Sequence, residues 1–228
     1  MKSDIFIIEP AEKPIARLLL LHGAGAPVQS DYLTLLASEL AKNGIEVWRV
    51  NFAYMQKSLS STKQPPPSVV KLQQELADFI ALVPDDLPLF IGGKSMGGRV
   101  ATLFASQVVS HGAAAVAQLQ ARIKGICCFG YPFCPPAKKA LGIAARTEHF
   151  STLNRPVLII QGERDEFGGK ELESTLHCVN WPQLTIKWLP FGDHDLKTLK
   201  KHLVSQQELI RQAATASRDF IHAKLLAR

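Results

Sequence analysis

Hydrophobic and polar positions follow two rhythms along this chain. Short, nearly continuous apolar runs recur, and between them lie longer stretches whose apolar positions return every three or four residues. Runs such as Leu18-Leu19-Leu20-Leu21 and Val157-Leu158-Ile159-Ile160 read as strands covered on both faces. Candidate strands fall at residues 5–9, 17–22, 45–51, 87–92, 125–130, 156–161 and 184–188. Residues 31–42 place Leu33, Leu36, Ala37 and Leu40 on one helical face and stop at Asn43-Gly44. Residues 68–83 repeat Val69, Leu72, Leu76, Phe79, Ile80 and Val83 at the same spacing, and 99–109 read as a further helix. A final helix over 202–226 carries Leu203, Ile210, Ala214, Ile221 and Leu225 as a seam facing the core. The alternation predicts an α/β architecture: a mostly parallel, twisted sheet of about seven strands with helices on both faces.

Three stretches resist regular structure. Residues 56–67, rich in serine and holding Pro65-Pro66-Pro67, read as a surface loop. Residues 110–120 are alanine-rich and extend or follow the preceding helix. Residues 131–153 open with Tyr131-Pro132-Phe133-Cys134-Pro135-Pro136 after a strand end, where loops form the mouth of an open α/β sheet. A small lid is expected there.

Composition narrows the class. With 228 residues, 46% apolar and 20% charged, the chain has ample material for a core, and a single domain over 1–228 suffices. The first residues carry Asp4 and too short an apolar run for a signal peptide. No window approaches the ~20 apolar residues of a membrane helix. A soluble, cytoplasmic protein with no membrane partner is therefore expected. The four cysteines show no metal-ligand spacing, and adjacent Cys127 and Cys128 would point to opposite faces of one strand as reduced thiols. The net charge of +6 is dispersed. Lys197, Lys200, Lys201, Arg211, Arg218, Lys224 and Arg228 lack interleaved aromatics, which speaks for a solvated helix face and against a nucleic-acid partner.

The chemistry concentrates in Gly93-Lys94-Ser95-Met96-Gly97-Gly98, set between a candidate strand and a candidate helix. A Gly-x-Ser-x-Gly turn in that context is a nucleophile elbow, which exposes Ser95 at a helix N-terminus. A serine hydroxyl needs a base, and the base an orienting acid, expected in the order Ser, Asp or Glu, His. Asp165 follows the strand at 156–161 and His194 follows the strand at 184–188. Glu163, Glu166, Asp193 and Asp195 compete with Asp165, whose place one short turn past its strand favours it. His22, His111, His149, His177, His202 and His222 compete with His194, which stands apart in the turn after the last strand. The oxyanion hole is assigned to the N–H groups of Met96 and Ala24, the latter within His22-Gly23-Ala24-Gly25-Ala26-Pro27. That segment also fits a plain tight turn, while its glycine spacing matches no phosphate-binding fingerprint. No metal or organic cofactor is implied.

These motifs, in this order, resemble the α/β-hydrolase superfamily in its small dienelactone-hydrolase-like form, over residues 17–196. More narrowly, the chain resembles bacterial relatives of the testis-expressed-protein-30-like family, which also includes a chromatin-complex subunit. That likeness rests on Gly130-Tyr131-Pro132-Phe133 with Pro135-Pro136, on Arg146-Thr147-Glu148-His149, and on Gln161-Gly162-Glu163-Arg164-Asp165-Glu166-Phe167-Gly168. It implies the fold and a Ser95–Asp165–His194 triad. Tyr131, Phe133, Arg146 and His149 then become candidate substrate contacts or lid anchors. Serine stands where dienelactone hydrolases carry cysteine, so their substrate is not implied. The resulting expectation is a serine hydrolase acting on a small-molecule carboxyl ester or thioester. The alternative is a catalytically silent binding or scaffold protein on the same fold. A peptidase is a weaker third reading, since no large accessory segment is apparent.

Overall fold

A computed structural model of the protein describes residues 5–106, 114–179 and 181–227. Its strands are β1 (Phe6–Glu9), β2 (Ala16–Leu21), β3 (Ile45–Val50), β4 (Leu89–Lys94), β5 (Ile123–Phe129), β6 (Val157–Gly162) and β7 (Leu184–Leu189). They form one seven-stranded sheet in the order β1-β3-β2-β4-β5-β6-β7. All neighbours are parallel except β1, which pairs antiparallel with β3. This is the mostly parallel α/β sheet anticipated from the apolar runs, and the α/β-hydrolase fold that the resemblance implies.

Side-chain alternation splits the core between the two faces of the sheet. Leu19, Leu21, Ile91 and Cys128 join one apolar cluster; Leu18, Leu20, Phe90 and Cys127 join the other. The adjacent cysteines thus do face opposite ways, both buried and free. Helices α1 (Asp31–Lys42) and α8 (Gln206–Leu226) cover the second cluster, through Leu36, Leu40, Ile210 and Ile221 among others. Helices α3 (Val69–Leu82) and α4 (Met96–Ser106) cover the first, through Leu72, Leu76, Val100 and Phe104.

Several elements depart from the sequence reading. The segment read as a loop from residue 56 holds the second half of α2 (Ala53–Ser60), in which Tyr54 and Met55 are buried. Its serines are accommodated with the Ser58 and Ser60 hydroxyls donating to the carbonyls of Tyr54 and Gln56, four residues back. In the alanine-rich stretch, α5 (Ala114–Arg122) leads directly into β5. Residues 107–113, part of the expected helix over 99–109 and of that stretch, lie outside the described residues. The last helix starts at Gln206 instead of residue 202, because Ser205 caps it by accepting from Glu208 N–H at 3.1 Å. Leu203 accordingly lies outside the seam, fully exposed. The stretch 131–153 contains α6 (Ala144–Thr147) and two 3₁₀ turns, and packs Tyr131, Phe133, Ile143 and Phe150 into the first core cluster. A further helix, α7 (Glu173–Val179), precedes β7. Among the described residues no helix is long and apolar enough to cross a membrane.

Candidate active site

Strand β4 ends at Lys94 and α4 begins at Met96, so one residue turns the chain from strand to helix. Ser95 does so with φ of 51°, the left-handed region that residues with side chains rarely enter. Two backbone bonds hold it there: Ser95 N–H donates to Phe129 O at 2.9 Å, and Arg99 N–H donates to Ser95 O at 3.1 Å. The flanking glycines supply room. A Cβ on Gly93 would sit 2.5 Å from Leu21 O, and one on Gly97 2.7 Å from His22 O. The end of β2 and the first turn of α4 meet only because both side chains are missing. Ser95 thereby stands at the positive end of a helix, beside N–H groups with no intrahelical acceptor.

Asp165 lies buried in the turn after β6. Its Oδ2 accepts from His194 Nδ1 at 2.8 Å and from Gln161 Nε2 at 2.8 Å, and its Oδ1 accepts from Phe167 N–H at 2.8 Å. An ionised carboxylate offers acceptors only, so these donors fix it in place. With Nδ1–H spent on Asp165, the basic nitrogen of His194 is Nε2. The Phe167 ring packs 4.4 Å from the imidazole centroid. The competing acids are engaged elsewhere or solvated: Glu163 pairs with Lys170 at 2.8 Å, and Glu166 is exposed. Asp193 accepts from Asp195 N–H and Lys197 N–H, and Asp195 pairs with Lys94.

Ser95 and His194 make no direct hydrogen bond, but both line one cavity of about 570 Å³. Its walls include Ala24, Ala26, Leu33, Leu35, Phe167 and Ile210. Catalytic hydrogen bonds are commonly long before substrate binds.

The loop after β2 forms one wall. A Cβ on Gly23 would lie 3.7 Å from Ser95 Cβ, which sets this backbone directly beside the hydroxyl. Among the described residues Ala24 N–H has no acceptor, and Met96 N–H is the first of α4. The loop's carbonyls are tied back instead. His22, fully buried, donates from Nδ1 to Gly23 O at 2.6 Å and accepts at Nε2 from Phe52 N–H at 3.1 Å. Tyr54 Oη donates to Ala24 O at 3.1 Å. Burial pushes the His22 pKa down to about 4, so its ring is the neutral tautomer these two bonds require.

The remaining predicted positions fall elsewhere. Tyr131 and Phe133 are fully buried with their rings 5.0 Å apart, and Tyr131 Oη donates to Arg146 O at 2.7 Å. His149 Nε2 lies 3.0 Å from Thr102 Oγ1, and burial together with Arg99 lowers its pKa to about 4. Neither Tyr131, Phe133, Arg146 nor His149 is among the cavity's lining residues. Of the other histidines, His177 and His222 are exposed, His202 stacks on Phe191, and His111 lies outside the described residues. Sequence reasoning missed Gln161, which binds Asp165, Gly168 O and both polar groups of the Tyr131 backbone. It also missed the part played by His22, whose signal was its place at a strand end before a small-residue loop. Among the described residues no group of three or more His, Cys, Asp or Glu is placed to hold a metal.

Comparison with curated protein sequences finds no match. Solved structures share the fold at low identity. Est1E from Butyrivibrio proteoclasticus, solved with ferulic acid bound, superposes with a TM-score of 0.64 at 14% identity, covering 97% of this chain and 95% of that one. A dienelactone hydrolase from Anabaena variabilis gives 0.64 at 15% identity, covering 94% and 89%. XC6422 from Xanthomonas campestris, described as an α/β serine hydrolase without a lid, gives 0.56 at 16% identity, covering 96% and 87%. The sequence profile of the alpha/beta hydrolase domain matches residues 14–222, nearly the whole chain. By fold and by sequence, the protein belongs to the α/β hydrolase family.

Proposed function

We propose that the protein is a serine hydrolase that cleaves a small carboxyl ester or thioester through an acyl-Ser95 intermediate, from a single α/β-hydrolase domain. One observation carries the reading. Ser95, held at φ of 51°, opens into the same cavity as His194, whose Nδ1 is fixed by Asp165 at 2.8 Å. In this mechanism His194 Nε2 takes the Ser95 proton as Oγ adds to the acyl carbon. The resulting oxyanion is met by Ala24 N–H and Met96 N–H. As the C–O or C–S bond breaks, His194 returns the proton to the leaving alcohol or thiol. Water then repeats the sequence, releasing the acid and restoring Ser95. Asp165 holds the imidazole and stabilises its charged form without taking the proton.

The cavity's modest size supports a small acyl group, as does the ferulic acid bound by Est1E. The narrower likeness to the testis-expressed-protein-30-like family adds no substrate. The test is intact mass after exposure to a fluorophosphonate, on wild type and Ser95→Ala in parallel. A single adduct on wild type and none on the variant is expected. A folded wild type that takes no adduct would replace this reading with that of a binding protein on a hydrolase fold.

A further inference from the structure

We propose that Lys94, the residue before the nucleophile, is a recognition group for a carboxylate on the substrate, so that the preferred ester or thioester carries a negatively charged acyl chain. This rests on the hydrolase reading and narrows its substrate class. Lys94 lines the cavity beside Ser95 and His194, yet its side chain is only 8% exposed. An ammonium group has three donors and needs acceptors for them when withdrawn from water. Among the described residues Lys94 Nζ has one contact with an anion, Asp195 Oδ1 at 3.3 Å, and that carboxylate is 47% exposed.

The other acceptors nearby are already taken. Asp165 receives His194, Gln161 and Phe167 N–H, and Asp193 Oδ1 receives two backbone N–H groups of its own loop. Asp195 is also shared: its second oxygen lies 3.6 Å from Lys197 Nζ at the cavity rim. Two ammonium groups therefore flank a single carboxylate. Asp31, the remaining acid in the lining, is exposed at the start of α1. Tyr32 adds a neutral donor: its ring lies 5.6 Å from Lys94 Nζ, and its hydroxyl, withdrawn from water, has no hydrogen-bond partner among the described residues. Two under-used donors on one cavity wall, one of them cationic, match a group that only accepts hydrogen bonds and bears negative charge. A carboxylate has that chemistry. Burial does lower the Lys94 pKa, against the pull of Asp195, Asp165 and Asp193, and an arriving carboxylate would restore support for the charged form.

The competing role is structural, with Lys94–Asp195 merely strapping the elbow to the histidine loop. The two roles predict different results. The experiment compares kcat/KM for the 4-nitrophenyl monoester of glutaric acid with that for 4-nitrophenyl pentanoate, which has the same acyl length without the charge. Wild type should favour the glutarate ester by about tenfold or more, the scale of one charge-assisted hydrogen bond. Lys94→Met should bring the ratio close to one, Lys94→Arg should restore part of it, and Tyr32→Phe should lower it less. Asp195→Asn should hold or raise the ratio, since it frees the ammonium. Equal rates of the two esters in wild type would overturn the proposal. So would parallel losses in Lys94→Met and Asp195→Asn at an unchanged ratio, the signature of a strap. Should neither ester be hydrolysed, free glutarate reads the subsite directly: it should raise the Tm of wild type and leave that of Lys94→Met unmoved. Absence of any shift in wild type sinks the subsite whether or not Ser95 labels with a fluorophosphonate.

Discussion

Two groups of loops rise from the same edge of the sheet and are built in opposite ways. On one side, residues 23–35 and 194–210 leave a cavity of about 570 Å³, largely because Gly23, Ala24, Gly25 and Ala26 put almost nothing into it. On the other, residues 131–153 insert Tyr131, Phe133 and Phe150 into the core, with their rings about 5 Å apart. The filled side is held by close packing, whose strength grows with buried apolar area. The open side also buries Val28, Leu33, Leu196 and Ile210 beneath it, but its small-residue loop adds no such packing and is held by directed hydrogen bonds from His22 and Tyr54. A single edge thus separates the work of stabilising the fold from that of admitting a ligand.

The largest effect expected from breaking this contrast is chemical. Ser95→Ala should abolish ester hydrolysis, by on the order of a millionfold where such residues act as a unit, while thermal unfolding shows an intact fold. On the filled side the currency is stability: Phe150→Ala should cost about 3–5 kcal/mol in urea unfolding, since it empties a site wedged between Tyr131 and Trp181. Labelling of Ser95 in the folded fraction should persist.

His22 sharpens the comparison through pH. Its folded pKa of about 4 lies below the ordinary 6.5, so the unfolded chain binds the proton first as pH falls. The stability it contributes is complete above about 6.5 and drains away towards pH 4, by roughly 3 kcal/mol in all. In His22→Gln, urea midpoints measured at pH 7 and 4.5 should converge relative to wild type. The smallest effect belongs to Tyr131→Phe, which deletes one hydrogen bond to Arg146 O and should cost about 1 kcal/mol with no change in ester hydrolysis.

How much of this was legible depended on whether the signal was local. The inner strands were readable because burial on both faces forces continuous apolar runs, β7 by its alternation of apolar and polar positions, and the turns holding Ser95, Asp165 and His194 because each follows one of these strands. The first half of the contrast was visible too, as glycine and alanine after β2. The second was not: Tyr131-Pro132-Phe133 before a proline pair reads as a loop at the sheet mouth, and the burial of Tyr131, Phe133 and Phe150 rests on partners distant in sequence, Gln161 for Tyr131 and Trp181 for Phe150. Helix α2 was masked by serines that satisfy themselves on its own carbonyls. Gln161 sits in an apolar strand like any other polar end residue, and nothing in a single sequence marks its four bonds. Lys94 occupies a position the elbow motif leaves free, so the pattern that located Ser95 said nothing of its neighbour.

The left-handed φ at Ser95 has a consequence for selection and design. A residue with a side chain held there stores on the order of 1–3 kcal/mol of strain, and glycine would hold the same angle with almost none. Stability and reactivity therefore compete at one backbone torsion. Screening libraries of this protein for heat resistance alone would favour losing Ser95, the proposed nucleophile, so any thermostabilising campaign has to keep a functional readout running alongside.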